Sequence, residues 1–553
     1  MSEVLQGLMQ NDFPLTLNHI LRRVRTCNDG SEVVTLMPDG TVQRAAHAEL
    51  ADRIDRLARA LASLGVEQGD RVATFAWNNQ RHFELYFAVP CTGAVLHTLN
   101  IRLFEDQLTY IVNHAEDKVI FLDHSLVPVL AELAPRFTSV EKYIVMGAEP
   151  PAGATAELDG LPNALRYEEL LEAAGPGGFD YPELDERRAA ALCYTSGTTG
   201  NPKGVLYSHR SISLHSSATL MTDANGLSRS DRVLAVVPMF HANAWGLPYG
   251  AALAGSDLIL PDRFLGAEAL AKLIEAERPT LMGCVPTIFA DLLRFADSHP
   301  EVDLSSLSNA ACGGSAVPRQ LMKDFEERHG VRIFQAWGMT ETSPVATYSR
   351  PREGEHDDAY WDVRARQGRP LPWVELRLVD DEGREVRWDG RSTGEIEVRG
   401  PWIAGGYYRE QDEEKFDEGW LRTGDIAAVD EKGFVQITDR AKDVIKSGGE
   451  WISSVELECE LMEHPDVVEA AVIAKPDPRW AERPLCCVVL RDGAGATAEE
   501  LVEHLRGRVA KWWLPDEFAF VTEIPKTSVG KFDKKVLRAQ LADGTLEGRV
   551  LVA

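Results

Sequence analysis

Cysteine, positive charge and long apolar runs are all scarce in this 553-residue sequence. Its 8 cysteines stand at Cys27, Cys91, Cys193, Cys284, Cys312, Cys459, Cys486 and Cys487. None forms a CxxC pair or a Cys/His cluster with metal-ligand spacing, which argues against a structural zinc module. They read as small buried hydrophobes kept reduced in a cytoplasm. Lys and Arg number 58 against 86 Asp and Glu, for a formal net charge of −28. A nucleic-acid binder needs a basic footprint, so that class is excluded, as is electrostatic docking on anionic lipid. An anionic ligand can still bind where the few basic side chains converge. No stretch reaches the ~18 apolar residues of a membrane span. The opening MSEVLQGLMQNDFP has neither the basic start nor the apolar run of a signal peptide. The expectation is a soluble cytoplasmic protein.

The length exceeds what one core of ~250–300 residues supports, so at least two domains are expected. Up to about residue 370, short β-branched and aromatic runs such as RVATFAW, KVIFLD, YIVMG and RVLAVVPMF alternate with helix-length amphipathic segments. That alternation predicts an α/β sheet with helices on its faces. Beyond it, VELRLVD, GEIEVRG and GDIAAVDEKGFVQITDR read as hairpin strands, the last turning at Asp430–Gly433. From about residue 440 a small α+β unit follows: helix SSVELECELMEHP, strands VVEAAVIAK and RPLCCVVLRD, helix AEELVEHLRGRVAKWW, then a basic tail. The predicted division is a large domain over 1–438, α/β with a β-rich subdomain, and a small mobile α+β domain over 439–553.

The strongest local signal is Tyr194-Thr-Ser-Gly-Thr-Thr-Gly-Asn-Pro-Lys-Gly204, which follows the apolar run Ala189–Cys193. Gly197 and Gly200 let the backbone bend and approach a ligand closely. The hydroxyls of Thr195, Ser196, Thr198 and Thr199 and the loop N–H groups can donate to phosphate oxygens. Lys203 adds a mobile point charge. No Gly-Lys-Ser/Thr follows at Walker A spacing, so this is a different phosphate loop.

The loop resembles that of the acyl-adenylate-forming superfamily, which includes acyl-CoA synthetases, amino-acid adenylation domains and firefly-type luciferases. Within it the sequence looks most like bacterial medium/long-chain fatty-acyl-CoA synthetases, over essentially the whole chain and with the motifs in family order. Gln335-Ala336-Trp337-Gly338-Met339-Thr340-Glu341 resembles the adenine and magnesium motif, with Trp337 where the family usually has Tyr. An aromatic face suits adenine. Glu341 and the Thr195 hydroxyl are the implied Mg²⁺ ligands, a hard cation that takes oxygen donors. Gly313 and Gly314 would line the wall between nucleotide and acyl chain. His241 would flank the acyl phosphate and Trp245 would gate the acyl tunnel.

Asp425, in Trp420-Leu-Arg-Thr-Gly-Asp425, resembles the residue that accepts both ribose hydroxyls, with Arg440 joining it. The resemblance makes Asp439 the hinge, brings Lys442, Lys446 and Trp451 to the nucleotide, and puts Ser447, Gly448, Gly449 and Glu450 beside the pantetheine arm. Lys531, in Pro525-Lys-Thr-Ser-Val-Gly-Lys531, matches the C-terminal catalytic lysine. Lys526, Lys534 and Lys535 read as solvated or as contacts for CoA phosphate.

The implied reaction is ATP-dependent activation of a carboxylic acid as its acyl-AMP, with release of pyrophosphate, then transfer to coenzyme A. No Ser-His-Asp set is visible and none is needed. Catalytic roles fall to Lys531, Lys203 and His241. The expected acid is a medium- to long-chain fatty acid and the expected assembly a homodimer. A short thioether acid of the methylthiopropionate type or an aryl acid is the alternative. Amino acids are disfavoured because His241 stands where amino-acid adenylation domains commonly carry Asp. A non-catalytic acyl binder is opposed by the presence of Lys531 and Glu341. A luciferase-like oxygenase would share these motifs.

Overall fold

The computed structural model describes residues 7–10, 12–147, 160–195, 201–352, 357–440, 443–447, 450–527 and 531–552, with the backbone alone for Glu450 and Trp451. Ser196, Gly197, Thr198, Thr199, Gly200, Lys442, Gly448 and Gly449, expected at the site, lie outside the described residues, as do the side chains of Glu450 and Trp451.

Two large sheets form the first part of the chain. The seven-stranded one runs Ala164–Arg166, Lys142–Met146, Asp117–Asp123, Arg71–Phe75, Val95–Thr98, Ala189–Tyr194, Gly204–Ser208. Its strands are parallel except for the last, which returns antiparallel on Ala189–Tyr194. The nine-stranded sheet has a parallel centre, Glu32–Leu36, Asp257–Leu260, Arg232–Ala235, Leu281–Cys284, Asn309–Gly313 and Arg332–Gly338. Strands buried on both faces need continuous apolar runs, as in Leu281–Cys284, which is buried throughout; in the equally buried Val95–Thr98 the polar His97 is paired with Asp117 at 2.9 Å. Helices Leu17–Thr26, His47–Ser63, Gln80–Cys91 and Leu247–Ala254 contribute to one apolar cluster that takes residues from both sheets.

Asn78 ties the ends of those sheets together. It follows strand Arg71–Phe75 and donates from Nδ2 to the carbonyls of Ala235 and Val237, both at 2.8 Å, while its Oδ1 accepts from the Met239 N–H at 2.7 Å. A single buried amide thereby fixes the segment leading to His241. Parallel strands with short loops put ligand sites outside their carboxyl ends. Thr195, His241, Gly313 and Gly338 all lie at or just beyond such ends.

A five-stranded sheet of Glu375–Val379, Thr393–Arg399, Phe416–Asp417, Trp420–Val429 and Val435–Arg440 packs on the nine-stranded one through a cluster that includes Phe334, Trp337, Val398 and Leu421. The predicted hairpin turn at Asp430–Gly433 joins its last two strands. The final part of the chain holds a six-stranded sheet with its own apolar clusters. The single helix expected over AEELVEHLRGRVAKWW is broken. It spans Ala498–Leu505, because Arg506 is extended and Gly507 takes φ 83°, and a short 3₁₀ turn at Lys511–Trp513 follows. Among the described residues, no helix is long and apolar enough to cross a membrane.

Gly338 sits where strand Arg332–Gly338 meets Val345–Tyr348, and a Cβ there would overlap the Pro344 carbonyl. Backbone cannot yield as a flexible side chain can. Gly338→Ala should therefore destabilise the domain by about 1–3 kcal/mol, seen as a lower midpoint in thermal denaturation. An unchanged midpoint would show that the strands tolerate a wider spacing.

Candidate active site

Two lysines enter one cavity on turns built in the same way. At the neck of the phosphate loop the Thr195 N–H donates to the Lys203 carbonyl at 2.9 Å, and the Lys203 N–H donates to Thr195 Oγ1 at 3.1 Å. Further along the chain the Thr527 N–H donates to the Lys531 carbonyl at 2.7 Å, and the Lys531 N–H donates to Thr527 Oγ1 at 3.2 Å. Each threonine closes its loop with one backbone and one hydroxyl bond, so the following lysine leaves the turn in a set direction. The cavity of about 1290 Å³ is also lined by His241, Trp245, Gly313, Gly314, Trp337 and Glu341.

Lys531 crosses Gly314. A Cβ at Gly314, which has φ +90°, would lie 3.3 Å from Lys531 Cε. The six-stranded part of the chain thus delivers an ammonium to the end of strand Asn309–Gly313. Burial lowers the Lys531 pKa to about 8; Arg440 pushes the same way, and Asp425 and Glu341 oppose. His241 is held neutral, its pKa pushed down to about 3 by burial and then by Lys531.

The adenine-motif residues divide. Gln335 is buried, and its amide is committed to protein: Oε1 accepts from Val317 N–H and Gln367 Nε2, both at 3.2 Å, and Nε2 donates to the Ala365 carbonyl. Gln335, Ala336 and Trp337 all line the cavity. Trp337 Nε1 donates to Asp425 Oδ2 at 2.8 Å, a buried bond. The other Asp425 oxygen meets Arg440 Nε at 3.2 Å, across the register pair of the two strands that carry them. Thr340 accepts the Tyr207 hydroxyl at its carbonyl, 2.7 Å. Glu341 is buried, and Oε1 accepts from the Tyr407 hydroxyl at 2.5 Å. Carboxylate and hydroxyl oxygens at Glu341 and Thr195 are the hard donors Mg²⁺ takes, with phosphate and water completing its shell, so these residues fit that ion.

His241 opens an unusual turn. Ala242, Asn243, Ala244, Trp245 and Gly246 have φ of 43°, 52°, 50°, 56° and 76°. Non-glycine residues pay roughly 1–2 kcal/mol each for that hand, and such strain gathers at functional positions. Asn243 Oδ1 accepts from Cys193 Sγ at 2.9 Å, which links the turn to the strand feeding the phosphate loop. Trp245 reaches Gly313, where a Cβ would lie 3.5 Å from its ring and 2.6 Å from the Ala336 carbonyl oxygen. Only glycine leaves room there.

Asp439 is buried and lines the cavity. Its Oδ1 accepts from the Arg440 N–H at 2.8 Å and its Oδ2 from the Ser454 N–H at 2.7 Å. Lys534 corrects one of its two sequence readings. Rather than being solvated, it is buried and pairs with Glu458 at 2.6 Å while donating to Ser454 Oγ at 2.6 Å. Lys446 and Ser447, on strand Ile445–Ser447, are not among the described lining residues. The Lys446 N–H donates to Glu482 at 2.7 Å, and Ser447 Oγ accepts from Arg483 at 3.4 Å. Sequence reasoning missed the run Tyr407–Asp412, which meets both Lys203 and Glu341. Its acidic composition reads as a solvated loop, and only the paired tyrosines hinted at burial.

Trp337→Phe keeps the ring and removes the bond to Asp425. Hydrogen bonds to charged groups contribute about 1.5–3 kcal/mol, so affinity for ATP should fall about ten- to hundredfold, measured by calorimetry. Unchanged affinity would mean that Arg440 alone orients Asp425.

Against this geometry, a family model described as AMP-binding enzyme matches residues 23–408, and one described as AMP-binding enzyme C-terminal domain matches residues 456–531. The chain is 44% identical to the 3-methylmercaptopropionyl-CoA ligase of Ruegeria pomeroyi, over 96% of this chain and 98% of that one. It is 45% identical to the long-chain-fatty-acid–CoA ligase of Thermus thermophilus, over 97% and 98%. The crystal structure of an anthranilate CoA ligase with anthranoyl-AMP superposes with a TM-score of 0.85 at 27% identity, over 96% of this chain and 99% of that one. The chain belongs to the AMP-binding enzyme family.

Proposed function

We propose that this chain is an AMP-forming acid–CoA ligase that acts on medium- to long-chain fatty acids in the cytoplasm, as a homodimer. The observation that carries this reading is Lys531 lying against Gly314 in the cavity that His241, Trp337 and Glu341 share. A carboxylate resists attack by a thiol because its leaving group would be oxide; converting it to acyl-AMP supplies a better one. The substrate carboxylate attacks the α-phosphorus, a new P–O bond forms, and pyrophosphate leaves with the electrons of the broken bond. No protein nucleophile takes part. The chain's work is positioning, which can contribute up to ~7–11 kcal/mol, and charge neutralisation.

Lys531 would bridge the carboxylate and the α-phosphate. Lys203 and Thr195 meet the distal phosphates, and Trp337 presents its face to adenine while holding Asp425 toward the ribose. Neutral His241 can donate one hydrogen bond near the acyl phosphate without adding charge. Bound Mg²⁺, held by Glu341 and Thr195, would neutralise phosphate charge. Turning the residues after Asp439 about that point would withdraw Lys531 and admit the CoA thiolate, with domains of 1–438 and 439–553. Two half-reactions that need different groups at one place suit such a hinge.

A second reading of the acid, a short thioether acid, is favoured by the similarity to a 3-methylmercaptopropionyl-CoA ligase, 44% identical over 96% of this chain.

Pyrophosphate release across straight-chain, thioether and aryl acids decides the matter. Each buried methylene contributes about 0.8 kcal/mol, so activity should rise with chain length until the space is full, between octanoate and palmitate. Trp245→Ala should alter KM for the acid more than KM for ATP. Preference for acids of four or fewer carbons, with octanoate and palmitate inert, would replace the fatty acid by the thioether acid.

Lys531→Ala should abolish adenylation and largely spare CoA transfer from supplied acyl-AMP; equal loss of both would refute its role. The charged form of Lys531 is lost as pH rises through about 8, and a polyanion favours that form. ATP binding at pH 8 should therefore take up about half a proton, read by calorimetry in buffers of different ionisation enthalpy. The uptake should vanish in the variant.

A further inference from the structure

A site for a polyanionic triphosphate carries two carboxylates on its wall. Lys203 Nζ lies 2.8 Å from Glu410 Oε1 and 2.7 Å from Asp412 Oδ2, and 4.8 Å from the centre of the Tyr407 ring. The two acids outweigh the lysine, so the trio has a net charge of −1 beside the loop meant for phosphate. The carboxylates are held there by the fold. The Tyr408 N–H donates to the Gly204 carbonyl at 2.8 Å, and the Ala404 N–H to the Glu341 carbonyl at 2.7 Å. Arg409 donates to the His114 carbonyl at 3.1 Å and pairs with Glu116 at 2.6 Å. The Lys415 N–H donates to Asp412 Oδ1 at 3.1 Å, which keeps Oδ2 turned to Lys203. Such an arrangement weakens phosphate binding twice, by occupying the ammonium and by repelling the ligand.

We propose that Glu410 and Asp412 are positioning residues that hold Lys203 between turnovers, yield it to the triphosphate, and reclaim it to expel pyrophosphate. The proposal rests on the ligase reading above. While the phosphates belong to ATP, adenine and ribose contacts at Trp337 and Asp425 add to the hold and overcome the carboxylates. Once the bond to the α-phosphorus breaks, pyrophosphate keeps only its phosphate contacts. Competition for one ammonium then favours its departure. The carboxylates need not touch the reacting atoms, and no proton changes hands.

The test uses the full-length chain with Mg²⁺ and inorganic pyrophosphate. Asp412→Asn and Glu410→Gln should each bind pyrophosphate about three- to tenfold more tightly by calorimetry, the scale of one like-charge repulsion at a partly exposed site. Its release, followed by stopped flow, should slow in proportion. A merely structural role would loosen the wall and weaken binding, the opposite sign. In a Lys203→Met background the gain from Asp412→Asn should shrink. Should Asp412→Asn lower the melting temperature, the more exposed Glu410→Gln supplies the measurement. Folded variants that bind pyrophosphate as the wild type does, or more weakly, overturn the proposal while leaving acyl-AMP formation intact. If no acid is adenylated yet the variants tighten on pyrophosphate, the ligase reading fails and the carboxylate clamp stands.

Discussion

The Asp425 carboxylate is where two sheets of the molecule meet. Its oxygens are shared between Trp337, on the nine-stranded sheet, and Arg440, beside the buried Asp439. Asp425 itself sits on the five-stranded sheet. One carboxylate with two fixed donors sets the distance between the aromatic face and the strand that leads to the last domain. A carboxylate left with one buried partner would be costly. The indole N–H supplies the bond that a tyrosine at this place could not make in the same way.

Around that point the site is assembled from backbone economy. Gly313, Gly314 and Gly338 are sites of close approach where the missing side chain is the functional feature: one admits Trp245, one Lys531, one the neighbouring strand. The two Thr–Lys turns apply one device at two distant places in the chain. Each fixes the base of a long flexible side chain.

Much of this was legible in the sequence. Apolar runs between helix-length segments located the buried strands, and Asp430–Gly433 marked its hairpin. Thr195 and Lys203 could be named from the composition of their loop, and Trp337, Glu341, Asp425, Arg440 and Lys531 because their motifs resemble those of the acyl-adenylate-forming superfamily. What stayed hidden depends on contacts across long sequence separation. Nothing local tells that Trp337 will find Asp425, or that Lys534 in a basic run will be buried on Glu458. The acidic run after Tyr408 looks like any solvated loop until the phosphate-loop lysine is seen against it. The break after Leu505 could have been read from Gly507, but the amphipathic pattern on both sides masked it.

The run from Ala242 to Gly246 has a wider consequence. Five successive left-handed residues form a short mirror-image turn, so Trp245 leaves the chain in a direction that an ordinary turn could not offer. Residues branched at Cβ resist that backbone, which narrows the alphabet open to drift at these positions. Variation along this turn is therefore channelled into the size of the ring at Trp245 and the surfaces it touches. A chemist wishing to rigidify the turn has an uncommon option at Ala244: a D-amino acid, for which this hand of backbone is the relaxed one.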